Sequence, residues 1–297
     1  MEQPASGKTA KKNTWLIGCG IGCGGIILLV LILLSGGFFF VRNLVRDFED
    51  SEEVMALVVE KYGELTEFVP WPEGAVPAGR IETFLAVRVD TRLTRAQLEQ
   101  SFQLLGSQFE APDEERKSAR RIFQTIGRSF RLVPEIADFY HSRSRALLER
   151  EMGIGEYTYL YCLIYYTWMG KNPEDGPDFA LAHRNRQGWF EWDEKDFNDS
   201  EETAGMEMRN RVNKILLLFL QNQIKEARLQ SGAFPAGWIE RLDAEEKRLQ
   251  DNPESILWET GLPESILESL EAFRSRLETE YSSTVNAVEL GRSLYNP

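Results

Sequence analysis

The hydrophobic pattern changes character several times along the chain, and each change predicts a different element. From Asn13 to Val41 no residue is charged, and the stretch reads NTWLIGCGIGCGGIILLVLILLSGGFFFV. About 20 residues of helix, at about 1.5 Å each, cross a hydrocarbon core of roughly 30 Å, so this run predicts a transmembrane helix over 15–41. Trp15 near one end and Phe38 to Phe40 at the other are residue types that settle at the membrane interface. Beyond it, Leu44, Phe48, Ser51, Met55, Val58, Tyr62 and Leu65 follow an alternating four-three spacing, broken only by the serine. That spacing predicts a juxtamembrane helix over 42–68 with one apolar seam (Leu44, Phe48, Met55, Val58, Tyr62, Leu65). The seam either docks on the protein's own domain or pairs with a second copy, and its shortness favours docking.

The prolines and glycines of Val69-Pro70-Trp71-Pro72-Glu73-Gly74-Ala75-Val76-Pro77-Ala78-Gly79 break any helix and predict a linker over 69–79. Helical patterns dominate residues 80–297, so the expected fold is all-α: one N-terminal membrane helix followed by a multi-helix globular domain. Ile81, Phe84, Leu85 and Val87 open one helix. Ala119, Ile122, Phe123, Ile126, Phe130 and Val133 form the apolar face of another, which Pro134 is expected to end while starting the next. Ile154 to Met169 is the most apolar stretch of the domain. Its length suggests a buried helix, while the alternation of Tyr157, Tyr159 and Tyr161 is a strand signal, so both readings stand. Five tyrosines within 16 residues suit a core better than a second membrane span. Residues 170–202 look irregular. Helices are then expected near 204–230, 236–250 and 263–280. The echo of Pro253-Glu254-Ser255-Ile256-Leu257 in Pro263-Glu264-Ser265-Ile266-Leu267 predicts two helix starts.

Charge narrows the partners. The chain of 297 residues carries a net charge of −13. Residues 1–14 form a short basic tail, in which Lys8, Lys11 and Lys12 face a single acid, Glu2. With Arg42 added, these leave the remaining chain at −16 out of 34 basic and 47 acidic residues. An acidic domain of this kind is repelled by phosphate backbones, which excludes nucleic acid as the expected partner. The lysines before the span outnumber the basic residues immediately after it, Arg42 and Arg46, which favours a cytoplasmic N-terminus and an extracytoplasmic domain.

Within the span, Gly18 and Gly22, and Gly20 and Gly24, have the small-residue spacing that lets two membrane helices approach closely, a candidate homodimer contact. Leu16-Ile17-Gly18-Cys19 resembles the lipobox of bacterial lipoproteins. In that family the apolar region precedes the cysteine, whereas here most of it follows, so an uncleaved anchor in the lipid bilayer is the expected reading.

Chemistry is sparse. His141 and His183 belong to no zinc-binding spacing, Cys162 is the domain's only thiol, and no G-x-S-x-G elbow is present. Ser6-Gly7-Lys8-Thr9 imitates the end of a phosphate loop without its first glycine. Asp196, Asn198, Ser200, Glu202 and Glu207 imitate a calcium loop, but Glu201 stands where that loop needs glycine. No catalytic residue, metal ligand or cofactor is therefore expected. Two features remain. Lys117, Arg120, Arg121, Arg128, Arg131, Arg143, Arg145 and Arg150 concentrate positive charge, either for an anion or for the domain's own acids. Tyr157, Tyr161 and Tyr165 could line a pocket or belong to a core helix. The expected function is a non-enzymatic interaction or scaffolding protein of the cell envelope that binds another envelope protein. A ligand-binding module with an aromatic and arginine-lined pocket is the alternative, and an enzyme using carboxylates ranks below both.

Overall fold

A computed structural model of the chain describes residues 52–109, 119–176, 196–230, 234 and 236–291. The uncharged run 15–41 with Gly18, Gly20, Gly22 and Gly24, and the first two seam residues, Leu44 and Phe48, lie outside the described residues. Among the described residues every regular element is helical, and no helix is long and apolar enough to cross a membrane.

Helix α1 covers residues 52–62. Val58 is fully buried in the main core, and Met55 and Tyr62 pack against that core from its edge. Leu65 follows in a short 3-10 turn, Leu65–Glu67, and is also buried. The described part of the seam thus docks on the domain. Its footing depends on Gly155, because a Cβ there would lie 2.5 Å from the Phe68 Cβ and 2.7 Å from the Leu65 carbonyl oxygen.

Residues 68–77 contain no helix, and three prolines explain why. They form a seated strap. Asn222 Nδ2 donates to the Thr66 and Phe68 carbonyls, Gln223 Nε2 to that of Trp71, and the Trp238 indole N–H to that of Pro72. Gly74 crosses in the left-handed region (φ +83°), where a Cβ would stand 2.9 Å from the Trp238 ring.

Helix α2 (Ala78–Asp90) buries Ile81, Phe84, Leu85 and Arg88, a 3-1-3 stripe on one face. Thr91 ends it, with a buried hydroxyl that donates to the carbonyls of Val87 and Arg88. Helix α3 (Arg92–Phe109) buries Arg95, Leu98 and Phe102. Helix α4 (Ala119–Glu149) contains Pro134 in its interior, which corrects the expectation that this proline ends one helix and starts another. A proline removes one backbone bond and strains one turn. Leu132 and Ile136, on either side of it, pack with Phe139 against Leu98 and Phe102 of α3, and this shared face keeps the helix continuous.

Helix α5 (Ile154–Tyr161) runs directly into a π-helical stretch, Cys162–Trp168, so the apolar segment is helical throughout. Every residue from Ile154 to Tyr166 is buried. A helix enclosed on all sides needs no polar face, so alternation along it carries no information about strand. Helix α6 (Asp196–Leu229) starts earlier than its apolar pattern indicates, and its first residues cover the calcium-loop match with helical backbone. Val212, Leu216, Phe219, Gln223 and Ala227 form its buried stripe. Helix α7 (Trp238–Asp251) packs along α6.

The first half of the sequence echo does not start a helix. Residues 252–262 form turns, gathered by Asn213, whose Nδ2 donates to the carbonyls of Leu249, Asn252 and Ser255. The second half does: Pro263 caps α8 (Glu264–Glu271). The single helix expected to reach Glu280 is broken at Ala272 and Phe273 and resumes as α9 (Arg274–Thr279). Helix α10 (Asn286–Gly291) closes the described chain.

Candidate functional site

The largest concentration of chemistry lies inside the domain, between α2, α3, α4, α5 and α10. Arg88, Arg95 and Arg143 each occupy a core position of an otherwise apolar stripe. Arg88 follows Ile81, Phe84 and Leu85. Arg95 precedes Leu98 and Phe102. Arg143 lies one turn beyond Phe139 and Tyr140. Their side chains are 0%, 5% and 1% exposed. Glu289, carried inward by α10, is fully enclosed. It pairs with Arg88 and lies 3.7 Å from Arg143, whose Nη1 also donates to the Glu289 backbone carbonyl. Glu280, at the end of α9, pairs with Arg92 and Arg95, and its backbone carbonyl accepts from Arg88 and Arg95.

The tyrosines complete this network. Tyr157, Tyr161 and Tyr165 repeat every fourth residue and share one face of the α5 and π segment. Tyr157 accepts from Arg88 (3.0 Å) and donates to Glu289 (2.9 Å). Tyr161 and Tyr166 both donate to the Asn286 side-chain oxygen, while Tyr165 donates to the Leu277 carbonyl. The Asn286 amide donates in turn to the Asn172 carbonyl and to the Tyr281 hydroxyl. The Arg88 guanidinium lies over the rings of Tyr161 and Tyr165, 5.2 and 5.6 Å from their centres. Such contacts stabilise an enclosed cation by roughly 1–2 kcal/mol.

Burial sets the direction of the tyrosine pKa values. Tyr157, Tyr161, Tyr165 and Tyr166 are all pushed above the ordinary phenol range because their charged forms would be desolvated. Tyr281, at the edge, is pushed up to about 12 by the same cause. Burial also raises the Cys162 thiol, which makes it an unreactive core residue. For Glu280 burial opposes ionisation, but hydrogen bonds from Arg92 and Arg95 outweigh it and hold the carboxyl below its usual range. Burial is the largest single influence on Arg88 and opposes its charge, but Glu289 together with Tyr157, Tyr165 and Tyr161 outweighs it and raises the guanidinium still further.

Among the described residues this network sets three buried cations against two buried carboxylates. Among the described residues Arg143 Nε and Nη2 find no partner, nor do the Nε atoms of Arg88 and Arg95. A buried donor left without a bond costs about 1–3 kcal/mol, more when it is charged.

The other sequence-singled residues fall elsewhere. Arg145 and Arg150 are exposed and pair with Glu149 and Asp90. The side chains of Lys117, Arg120, Arg121, Arg128 and Arg131 lie outside the described residues. His141 is half-buried, with its Nδ1 enclosed and unpartnered, and His183 is not among the described residues. Among the described residues no group of His, Cys, Asp and Glu side chains is arranged to hold a metal ion. A shallow depression of about 380 Å³ lies between α6 and α7, lined by Gln221, Ile224, Lys225, Arg228, Leu229 and Glu246.

Arg88, Arg95, Glu280 and Glu289 belong to no sequence motif, because they stand too far apart in the chain to form one. The arginines carry a readable signal all the same: a cation at a core position of a helical stripe. Nothing comparable marks the two glutamates, which lie on short, irregularly placed helices. The chain matches no protein-family model, no characterised protein and no solved structure.

Proposed function

We propose that this chain is a single-pass membrane protein of the cell envelope whose helical domain, held outside the cytoplasm, works by binding another protein rather than by catalysis. The anchoring part rests on the uncharged run from Asn13 to Val41 and the lysines before it. The binding part rests chiefly on one observation. Leu229, at the end of α6, is 74% exposed and lines the α6–α7 depression together with the charged Lys225, Arg228 and Glu246. An apolar centre within a polar rim is the layout of a protein-binding patch. The tyrosine hydroxyls support the same reading, since four of them bond to groups of the protein's own core. The partner is a different envelope protein or, through the glycine face of the anchor, a second copy of the chain.

Three experiments test this. Deleting residues 15–41 should move the domain from the membrane to the soluble fraction, and protease added outside intact cells should digest the domain of the full chain. A domain digested only after lysis would overturn the topology. A photo-crosslinking residue at position 229 of the full chain should give a discrete adduct that Arg228→Glu weakens. The adduct's mass distinguishes a second copy from another protein. If position 229 yields no more adduct than exposed position 145, the binding reading fails.

A further inference from the structure

The unpartnered groups of Arg143 have a geometry of their own. Nε and Nη2 lie on one edge of the guanidinium plane, and their N–H bonds run nearly parallel, the arrangement that grips two oxygens of a carboxylate or phosphate at once. The opposite end is already engaged, because Nη1 donates to the Glu289 carbonyl and lies near the Glu289 carboxylate. Aromatic rings hold the group in place: Tyr140, Phe139 and Tyr157 have their centres 5.1, 5.5 and 5.9 Å from its central carbon. The side chain is 1% exposed, so bulk solvent does not compensate its two unbonded donors. The surrounding ledger has the same sign, with Arg88, Arg95 and Arg143 against Glu280 and Glu289.

We propose that the free edge of Arg143 is an enclosed oxyanion site, which takes a carboxylate or phosphate group in two-point contact and so balances the excess buried positive charge. The inference is independent of the envelope-binding function and stands or falls without it. Carboxylate and phosphate share the required chemistry, namely two oxygens about as far apart as the two donors and a negative charge. Because the site is enclosed, the ion acts as a structural ligand that stabilises the packing of α4 on α10.

The experiment uses the full chain, purified and dialysed into chloride, with thermal unfolding followed in inorganic phosphate and separately in acetate at constant ionic strength. A saturable rise in unfolding temperature is expected with at least one of the two anions, and the stronger one identifies the ligand class. Arg143→Lys keeps the charge but removes the two-point edge, so it should lose most of that rise. Arg145→Gln, an exposed position, should retain it. A second readout does not depend on the variant folding: the Arg143 side-chain N–H resonance of the unaltered protein should shift on addition of the effective anion. No saturable rise with either anion, an equal rise in Arg143→Lys, or an unmoved Arg143 resonance would each overturn the proposal.

Discussion

The two faces of helix α5 are both buried, yet they are held by different physics. On one face Tyr159 packs among Phe68, Trp71 and Phe219 with ring centres 5.7 to 6.2 Å away, a contact of shape and apolar area. On the other, Tyr157 and Tyr161 enter a network in which Arg88, Glu289 and Asn286 each take specific partners. The comparison teaches where each kind of packing is tolerant. An apolar face accepts side chains of similar volume and loses stability in proportion to what is removed. A charged interior can be exchanged as a set at little cost, but removing one member leaves its partner stranded.

The strongest way to break the comparison is Glu289→Leu, which leaves Arg88 and Arg143 without their shared carboxylate. It should lower unfolding stability by about 3–5 kcal/mol, read from the denaturant midpoint. Adding Arg88→Met to the same chain should recover part of that loss. If the two losses merely add, the network is not coupled in the way described. On the apolar face Phe219→Ala should cost about 3–5 kcal/mol through the cavity it leaves, and pairing it with Phe68→Ala should deepen the loss rather than repair it. Gly155→Ala, which forces Phe68 and Leu65 away from α5, should cost about 1–3 kcal/mol and increase proteolysis within residues 52–77.

The pH dependence probes both faces without mutation, since burial raises Tyr159 on the apolar face as well as Tyr157 and Tyr161 on the other. Tyrosines whose folded pKa is raised stabilise the fold below the ordinary phenol value, and that contribution disappears as pH climbs through the folded values. Alkaline unfolding should therefore begin near pH ~10, with phenolate absorbance rising in step with loss of helix rather than ahead of it. Glu280 has the opposite sign. Its depressed pKa adds stability above the ordinary carboxyl range that is lost as pH falls through the folded value, so Glu280→Gln should flatten the acid limb of the stability curve. The smallest effect belongs to the surface: Arg145→Gln, which breaks an exposed pair, should change stability by no more than about 0.5 kcal/mol.

How much was legible in the chain differs by element. The all-helical class of the domain could be read from periodicity, and so could the start of α8, since Pro263 pre-sets a helical first turn. The course of α4 through Pro134 could not be read, because the bond lost at a proline is local while the α3 face that compensates it lies elsewhere in the sequence. The break at Ala272 and Phe273 carries no proline or glycine to announce it. Of the basic residues singled out, Arg143 proved central while Arg145 and Arg150 serve ordinary surface pairs, and helix phase separates them. The pattern of Met55, Val58, Tyr62 and Leu65 showed a seam, and only the packing showed that its described part covers the domain itself.

Local pattern by itself pointed to the all-helical class of the described residues, to where many of their apolar faces lie, and to an uncharged run long enough for a bilayer before them. These properties depend on near neighbours, which recur every three or four residues. The tertiary structure alone decided which charges meet. Arg88 finds Glu289 across 201 residues, and Arg95 finds Glu280 across 185. No local rule encodes such pairs, because electrostatic attraction acts through space and becomes strong only once folding has removed the intervening water.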